Sequence, residues 1–435
     1  MPKDIASPSG SSSEPADVLA GPIRVSPTGR YLVDAAGRPF FWLGDTAWPL
    51  FARYSREEAE AYLEDRARKG FTVIQGVLAW GGGTGFEERV PGPNYAGERP
   101  WHESPSRPNE AYFEHVDHLL RFAGERGLVL AMLPTWGYYV TDLPSFDAGS
   151  AFAYGRWLGA RYRDVPNIVW VNGGDRVPTG REEVYRALAK GLREGDGGAH
   201  LITYHPCGWH SSSQFFHEED WLDFNMIQTW TEWSKIYPAV VADGLLSPPK
   251  PVVLGEPAYE DGPEYPQGPI TPLIVRRQAW WAFMAGGYFT YGHNQMWRME
   301  PGWTSALDTP GAHQMGLFRR IATSRPWWRM VPDQGLFASG VSCERTLNAA
   351  RRAVDGSCAM VYLSSQCHVL IHLDKILTRE VHATLVNPAT GEERDAGTYA
   401  TGNQPGSIFP AALTQWFSTP GHWEDAVLIL DGVSD

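Results

Sequence analysis

The sequence predicts an α/β protein: a (β/α)8 TIM barrel followed by an antiparallel β-sandwich. Three observations carry this. Eight short apolar runs (FFWLGD, FTVIQGVLAW, LVLAMLPTW, NIVWVNGGD, LITYHP, DFNMIQTW, PVVLGEPAYE and GYFTYGHNQMW) recur between residues 40 and 300. They are nearly continuous, as strands buried on both faces of a parallel sheet must be. Helical patterns lie between many of them, and the alternation over roughly 250 residues matches the size of a closed barrel. After residue 335 helical periodicity stops, and short strand-like runs separated by turn residues suggest a sandwich. A doubly wound sheet is the weaker alternative, because no glycine-rich phosphate fingerprint follows the first strand.

Three segments follow from this. Residues 1–21 read as a polar, Ser- and Pro-rich disordered lead-in. Residues 22–334 hold the barrel with a small N-terminal hairpin, RVSPTGRYLVDAAGRPF, whose turns fall at PTG and AAG. Residues 335–435 form the β-sandwich.

The helices carry their own start and stop signals. SREEAEAYLEDRARKGF opens with a capping box, Ser55 and Glu58, and closes at Gly70. NEAYFEHVDHLLRFAGERG places Phe113, Val116, Leu119, Leu120 and Ala123 on one face. TGREEVYRALAKGL predicts a second capping box, Thr179 with Glu182. TPLIVRRQAWWAFMAGG has Thr271 as N-cap and Pro272 at the first helical position. WGGGTG, from Trp80 to Gly85, has neither P-loop nor Rossmann spacing and reads as a flexible loop.

Composition excludes several functions. A formal net charge of -13 offers no basic stripe for nucleic acid and repels anionic membranes. No run is long enough to span a bilayer. The lead-in lacks the apolar core of a signal peptide, so the chain is expected in the cytoplasm, or secreted if its N-terminus is trimmed. Four scattered cysteines show no metal spacing, no HExxH or GxSxG motif occurs, and no cofactor is implied. The sequence leaves the oligomeric state open. The outlier is aromatic content, with 19 Trp, 18 Tyr and 18 Phe. Much of it must be core, and the rest can present flat faces to sugar rings.

The chemistry of a barrel sits at the C-terminal ends of its strands. Those ends carry Asp45 and Trp48, then Trp80, then Trp136 and Tyr138, then Asn172 and Asp175, then His205, then Gln228 and Trp230, then Glu256 with Tyr259 and Glu260, and finally Tyr291, His293 and Trp297. Two carboxylates on such a rim suit glycosidic cleavage, one protonating the leaving oxygen and the other attacking the anomeric carbon or activating water. Asp175 and Glu256 are the best pair, since no helix starts directly after either and a capping role is weak. Glu260 is the rival to Glu256 and reads as lying in the loop beyond the rim. The glycines before Asp175 are expected to clear space for a sugar and to free the backbone. Asp45, His205, Gln228 and His293 are candidates for reading hydroxyls, with Asn172 and Tyr259 beside the acids. Trp48, Trp136, Trp230, Trp297 and Tyr138 are candidates for lining sugar sites. His115 and His118 read as solvated helix-face residues. Two other functions stay open at this point: a carbohydrate-binding protein without turnover, and a metal-dependent hydrolase using His200, His205, His210 and His217.

GDTAW (Gly44 to Trp48), NIVWVNGGD and GEPAYE (Gly255 to Glu260), taken in order, resemble the apiosidase-like glycoside hydrolases, whose barrel is followed by a β-sandwich labelled as collagen-binding. ARRAVDGSCAMVYLSS, VNPATGEER and HWEDAVLILDG resemble that second domain. The resemblance runs from about residue 22 to the end and implies a soluble, exo-acting, retaining glycosidase acting on a carbohydrate. By the wider clan's placement Asp175 would be acid/base and Glu256 nucleophile. The chain departs from the clan's usual Asn-Glu after strand 4, having Asn172, two glycines and Asp175 instead. The family's best-known activity implies a terminal pentofuranosyl sugar such as apiose, and the sandwich would buttress the barrel.

Overall fold

The computed structural model describes residues 19–80, 91–264, 268–299, 301–402 and 413–433. Most of the expected lead-in, and Gly81 to Gly85 of the expected glycine loop, lie outside the described residues. The apolar runs form β1 (Leu43–Thr46), β2 (Val73–Val77), β3 (Val129–Leu133), β4 (Ile168–Gly173), β5 (Ile202–His205), β6 (Asn225–Trp230), β7 (Val252–Pro257) and β8 (Tyr288–Tyr291). All but the exposed end of β6 are buried, as both faces of such strands require. Parallel ladders run β5-β4-β3-β2-β1-β8-β7-β6, and a short strand, His210–Ser211, pairs antiparallel with β6.

Among the described residues no ladder joins β5 to β6. Single bonds close that seam. Asp223 N donates to Ile202 O at 2.8 Å, Thr203 Oγ1 donates to Phe224 O at 2.6 Å, and Ile202 N donates to the Asp223 carboxylate at 2.6 Å. The barrel is thus nearly closed, and its weakest seam lies between the two strands that carry His205 and Gln228.

Among the described residues seven longer helices cover the sheet: α1 (Arg56–Arg68), α2 (Glu110–Gly124), α3 (Ala148–Tyr162), α4 (Glu182–Asp196), α5 (Ile236–Gly244), α6 (Pro272–Met284) and α7 (Pro310–Ala322). The Ser55–Glu58 capping box forms, and Thr271 caps α6 ahead of Pro272. The expected Thr179–Glu182 box does not form. Helix α4 begins at Glu182 behind Arg181, which supplies no side-chain cap. Arg181 instead donates to Val140 O and Phe146 O, tying the helix entry to the loop after β3. His115 is another correction. It is buried, neither ring nitrogen has a partner, and burial pushes its pKa down to about 4. His118 is half-buried against Glu60 at 2.6 Å.

Helices α3 and α4 meet through glycines. A Cβ on Gly155 would lie 2.4 Å from Leu188 O, and one on Gly195 would lie 2.3 Å from Arg156 O. Two further glycines, Gly159 and Gly191, have the same relation to the opposite helix. The backbones therefore approach to a distance that alanine would prevent.

The C-terminal sheets are antiparallel, one of six strands and one of three. They dock on α6. Arg276 makes a buried two-point pair with Asp425 at 2.8 and 3.0 Å, and Trp280 stacks on Tyr362 with centroids 5.6 Å apart. A charge pair this deep needs all its groups satisfied, and Tyr362 Oη and Gln314 Oε1 complete it at 2.8 Å each.

Candidate active site

Strand β4 ends in three residues with positive φ: Gly173 (88°), Gly174 (115°) and Asp175 (55°). The glycines are required by protein neighbours. A Cβ at Gly173 would lie 2.3 Å from His205 O, and one at Gly174 would lie 2.7 Å from the Trp136 ring. The positive φ values bear out the expected freeing of the backbone. The left-handed turn carries Asp175 over the barrel mouth, where Gln228 Nε2 donates to its Oδ1 at 3.3 Å and Arg176 Nη1 sits 3.9 Å from its Oδ2. Removal from water and then the negative charge of Glu256 push its carboxyl up to about 6, against the opposing pull of His205. Its side chain remains 45 % exposed, so an incoming group can reach it.

Glu256 comes from the end of β7, across the mouth. Gln75 anchors the strand beneath it, donating to Gly255 O and Thr46 Oγ1 at 2.8 Å each. His205 Nε2 lies 3.2 Å from Glu256 Oε2, within ion-pair range but outside hydrogen-bond alignment. The Tyr259 hydroxyl accepts from Trp48 Nε1 at 3.1 Å. His205 Nδ1 faces Pro206 O at 2.9 Å, which places the proton on Nδ1 when the ring is neutral and turns a bare Nε2 toward the acid.

Aromatic rings form a buried wall beside the pair. Trp48 meets Trp136 at 5.0 Å and His205 at 5.1 Å, and Trp80 meets Trp136 at 5.2 Å. Trp48 and Trp136 are 2 % and 5 % exposed, so they back the site as a wall, whereas Trp230 is 46 % exposed.

The structure therefore brings together Asp175, Glu256, His205, Gln228, Tyr259, Trp48 and Trp136. Tyr138 is half-buried, with the Arg176 guanidinium 5.6 Å from its ring centre. His293 Nδ1 accepts from Gln295 N at 3.1 Å and caps the short helix Asn294–Arg298, where Trp297 is half-buried.

Two candidates point elsewhere. Asp45 is fully buried. Tyr62 Oη and Arg66 Nε donate to its Oδ2 at 2.7 and 2.5 Å, and Thr46 N donates to its Oδ1 at 2.8 Å. It anchors α1 to β1 and has no oxygen turned to the mouth. Asn172 Nδ2 donates to Tyr185 O on α4 at 3.3 Å, so it faces the helix layer.

Glu260 is not in a loop beyond the rim. It is buried, accepting from Tyr291 Oη, Thr309 Oγ1 and Gly311 N at the start of α7. The four clustered histidines do not converge. His200 faces Asp196 and Val165 O, His210 faces Gly208 O, His217 faces Asn225 and Pro248 O, and His205 faces Glu256. Among the described residues no three His, Cys, Asp or Glu side chains are placed to share a metal ion. Sequence reasoning missed Trp209, 59 % exposed beside Trp230, because a lone Trp in a loop carries no periodic signal. It also missed Gln278, which grips Ala258 from α6.

Comparison with known proteins agrees with this geometry. Residues 26–329 match the family model described as "Apiosidase-like, catalytic domain", and residues 331–431 match "Putative collagen-binding domain of a collagenase". No curated protein matches the chain. A solved glycoside hydrolase is 29 % identical over 96 % of this chain and 98 % of its own, with a TM-score of 0.86. A family 5 glycoside hydrolase from Bacteroides vulgatus is 28 % identical over 95 % and 94 %, with a TM-score of 0.85. A family 27 β-L-arabinopyranosidase from Geobacillus stearothermophilus shares the fold at 12 % identity, a TM-score of 0.54, and 91 % and 97 % coverage. Among the described residues no helix is long and apolar enough to cross a membrane. With the catalytic-domain model matched across the whole barrel, the chain belongs to the apiosidase-like family and is a glycoside hydrolase acting on a carbohydrate.

Proposed function

We propose that the protein is an exo-acting, retaining glycosidase with Asp175 as acid/base and Glu256 as nucleophile, removing a terminal sugar of the pentofuranosyl, apiose-like class. The observation that carries this reading is the asymmetry of the two acids. Asp175 is raised to about 6 and stays accessible, which suits a group that must hold a proton and then deliver it. Glu256 lies at the mouth, its side chain 12 % exposed, with His205 Nε2 3.2 Å from its Oε2.

In this mechanism Asp175 gives its proton to the glycosidic oxygen as Glu256 attacks the anomeric carbon. Water then adds to the glycosyl-enzyme with Asp175 taking the proton back. The wall of Trp48, Trp80 and Trp136 closes one side of the site and favours a chain end over a chain interior. We assign the C-terminal sheets a buttressing role through α6.

The test is a panel of aryl furanosides and pyranosides with the Asp175→Asn and Glu256→Gln variants. Each substitution should lower kcat by at least about 10³-fold with the fold intact. Proton NMR of the first-formed product should show the anomeric configuration of the substrate. Full activity in either variant removes that residue from its role, and inverted product excludes Glu256 as nucleophile.

A further inference from the structure

Among the described residues seven non-glycine positions have positive φ, and three of them are Asp175, Trp209 and Trp230, at the adjoining ends of β4, β5 and β6. Trp209 has φ 66° and Trp230 φ 46°. This is left-handed backbone, which bulky side chains rarely adopt without a compensating reason. Burial does not supply that reason. The two indoles are 59 % and 46 % exposed, with centroids 5.7 Å apart and planes inclined by 49°. Their tie to the barrel is through the backbone: Trp209 N donates to Gln228 O at 2.7 Å, and β6 shifts register against β7 on either side of Gln228. Such bulges re-aim side chains, and stored backbone strain concentrates where function uses it.

Gln228 connects this pair to the chemistry. Its Nε2 donates to Asp175, whereas its Oε1 is buried and has no partner. Next to it, a cavity of about 610 Å³ is lined by Trp209, Gln228, Glu232, Lys235 and Asp243 among others. The apolar wall of Trp48, Trp80 and Trp136 belongs to other strands, β1 to β3.

We infer that Trp209 and Trp230 form a leaving-group subsite that stacks a saccharide ring, so that the substrate is an oligosaccharide or glycan end rather than the glycoside of a small alcohol. The inference rests on the proposed role of Asp175, since a proton donor marks the side on which the leaving group departs. The indole faces would take the C–H face of the ring.

The test is calorimetric titration of the Glu256→Gln protein with arabino-, xylo-, manno-, cello- and galacturono-oligosaccharides. Trp209→Gly and Trp230→Gly are then introduced into the same protein, with Trp416→Ala, an exposed tryptophan of the C-terminal sheets, as control. Each glycine substitution should raise Kd at least about tenfold for the series that binds. Each should also leave Tm unchanged or higher, because glycine relieves the positive φ. That combination separates a binding role from a structural one. No binding by any series, undiminished binding in both glycine variants, or loss of affinity only together with a falling Tm would overturn the inference. Chromatography of the same samples reports hydrolysis separately. Turnover by the Glu256→Gln protein would reject the nucleophile assignment and leave the tryptophan result to be read from its own titration.

Discussion

His205 Nε2 stands 3.2 Å from Glu256 Oε2, joining the end of β5 to the end of β7 across the barrel mouth. The ring is fully buried and clasped by Trp48 and Trp136, so it cannot follow the acid if the acid moves. Under the proposed mechanism the packed ring would limit how the Glu256 carboxyl can turn. His205→Asn should therefore lower kcat by about 10²-fold with a smaller change in KM. Steady-state kinetics on the best aryl glycoside checks this, and a change confined to KM would assign the ring to ground-state binding.

With Asp175 as the proposed general acid, its raised carboxyl would set the pH dependence. A general acid must be protonated, so kcat/KM should fall as pH rises through about 6, with the midpoint moving when Gln228 is replaced by Leu. The stability sign follows from the same shift. The folded-state value lies above the unfolded one, so the folded protein binds the proton more tightly, and stability is lost as pH rises from about 4 through about 6. Asp175→Asn should remove that loss. Discounted for a half-exposed side chain, the gain is about 1 kcal/mol at pH 8 and near zero at pH 4, measured by urea unfolding at both.

Asp45 tests whether a strand-end acid belongs to the site or to the scaffold. Its carboxylate and the Arg66 guanidinium are both wholly buried. Asp45→Ala would leave Arg66 Nε and Tyr62 Oη without their acceptor while Asp65 still pairs with Nη1 at 2.6 Å, which costs about 1–3 kcal/mol. The expected result is a fall in Tm, with KM unchanged in whatever folded protein remains.

Gln278 ties α6, the helix on which the C-terminal sheets dock, to the backbone just beyond Glu256. Its Oε1 accepts from Ala258 N at 2.9 Å and its Nε2 donates to Ala258 O at 3.0 Å, two residues beyond Glu256. On the same helix Arg276 and Trp280 face the sandwich. Gln278→Leu leaves two buried backbone groups unpaired at a cost of about 1–3 kcal/mol each. It should lower kcat about tenfold or more with little change in KM, whereas a purely structural role would move Tm alone.

Gly174→Ala combines a φ of 115° with a Cβ 2.7 Å from the Trp136 ring. It should destabilise by about 2–4 kcal/mol and abolish activity together, since Asp175 leaves its place with the turn. Thermal unfolding paired with an activity assay reads both.

The amino-acid sequence by itself determined the barrel, because each strand must be apolar on both faces and so declares itself as a run. It also determined where chemistry would collect, because strand ends are visible once strands are. Placing Asp175 and Glu256 at strand ends needed nothing more than that. What the sequence could not rank was which polar strand-end residues look inward. Asp45, Asn172 and Glu260 are as polar as Asp175, yet their partners, Arg66, the carbonyl of Tyr185 and the α7 backbone, come from distant segments. Helix α3 was equally hidden, since its glycines read as weak helix formers until α4 is packed against them. Only the tertiary structure decided these, because direction and partnership are long-range properties. The same holds for Trp209 and Trp230, whose exposure and strained backbone appear only when β5 and β6 are set side by side.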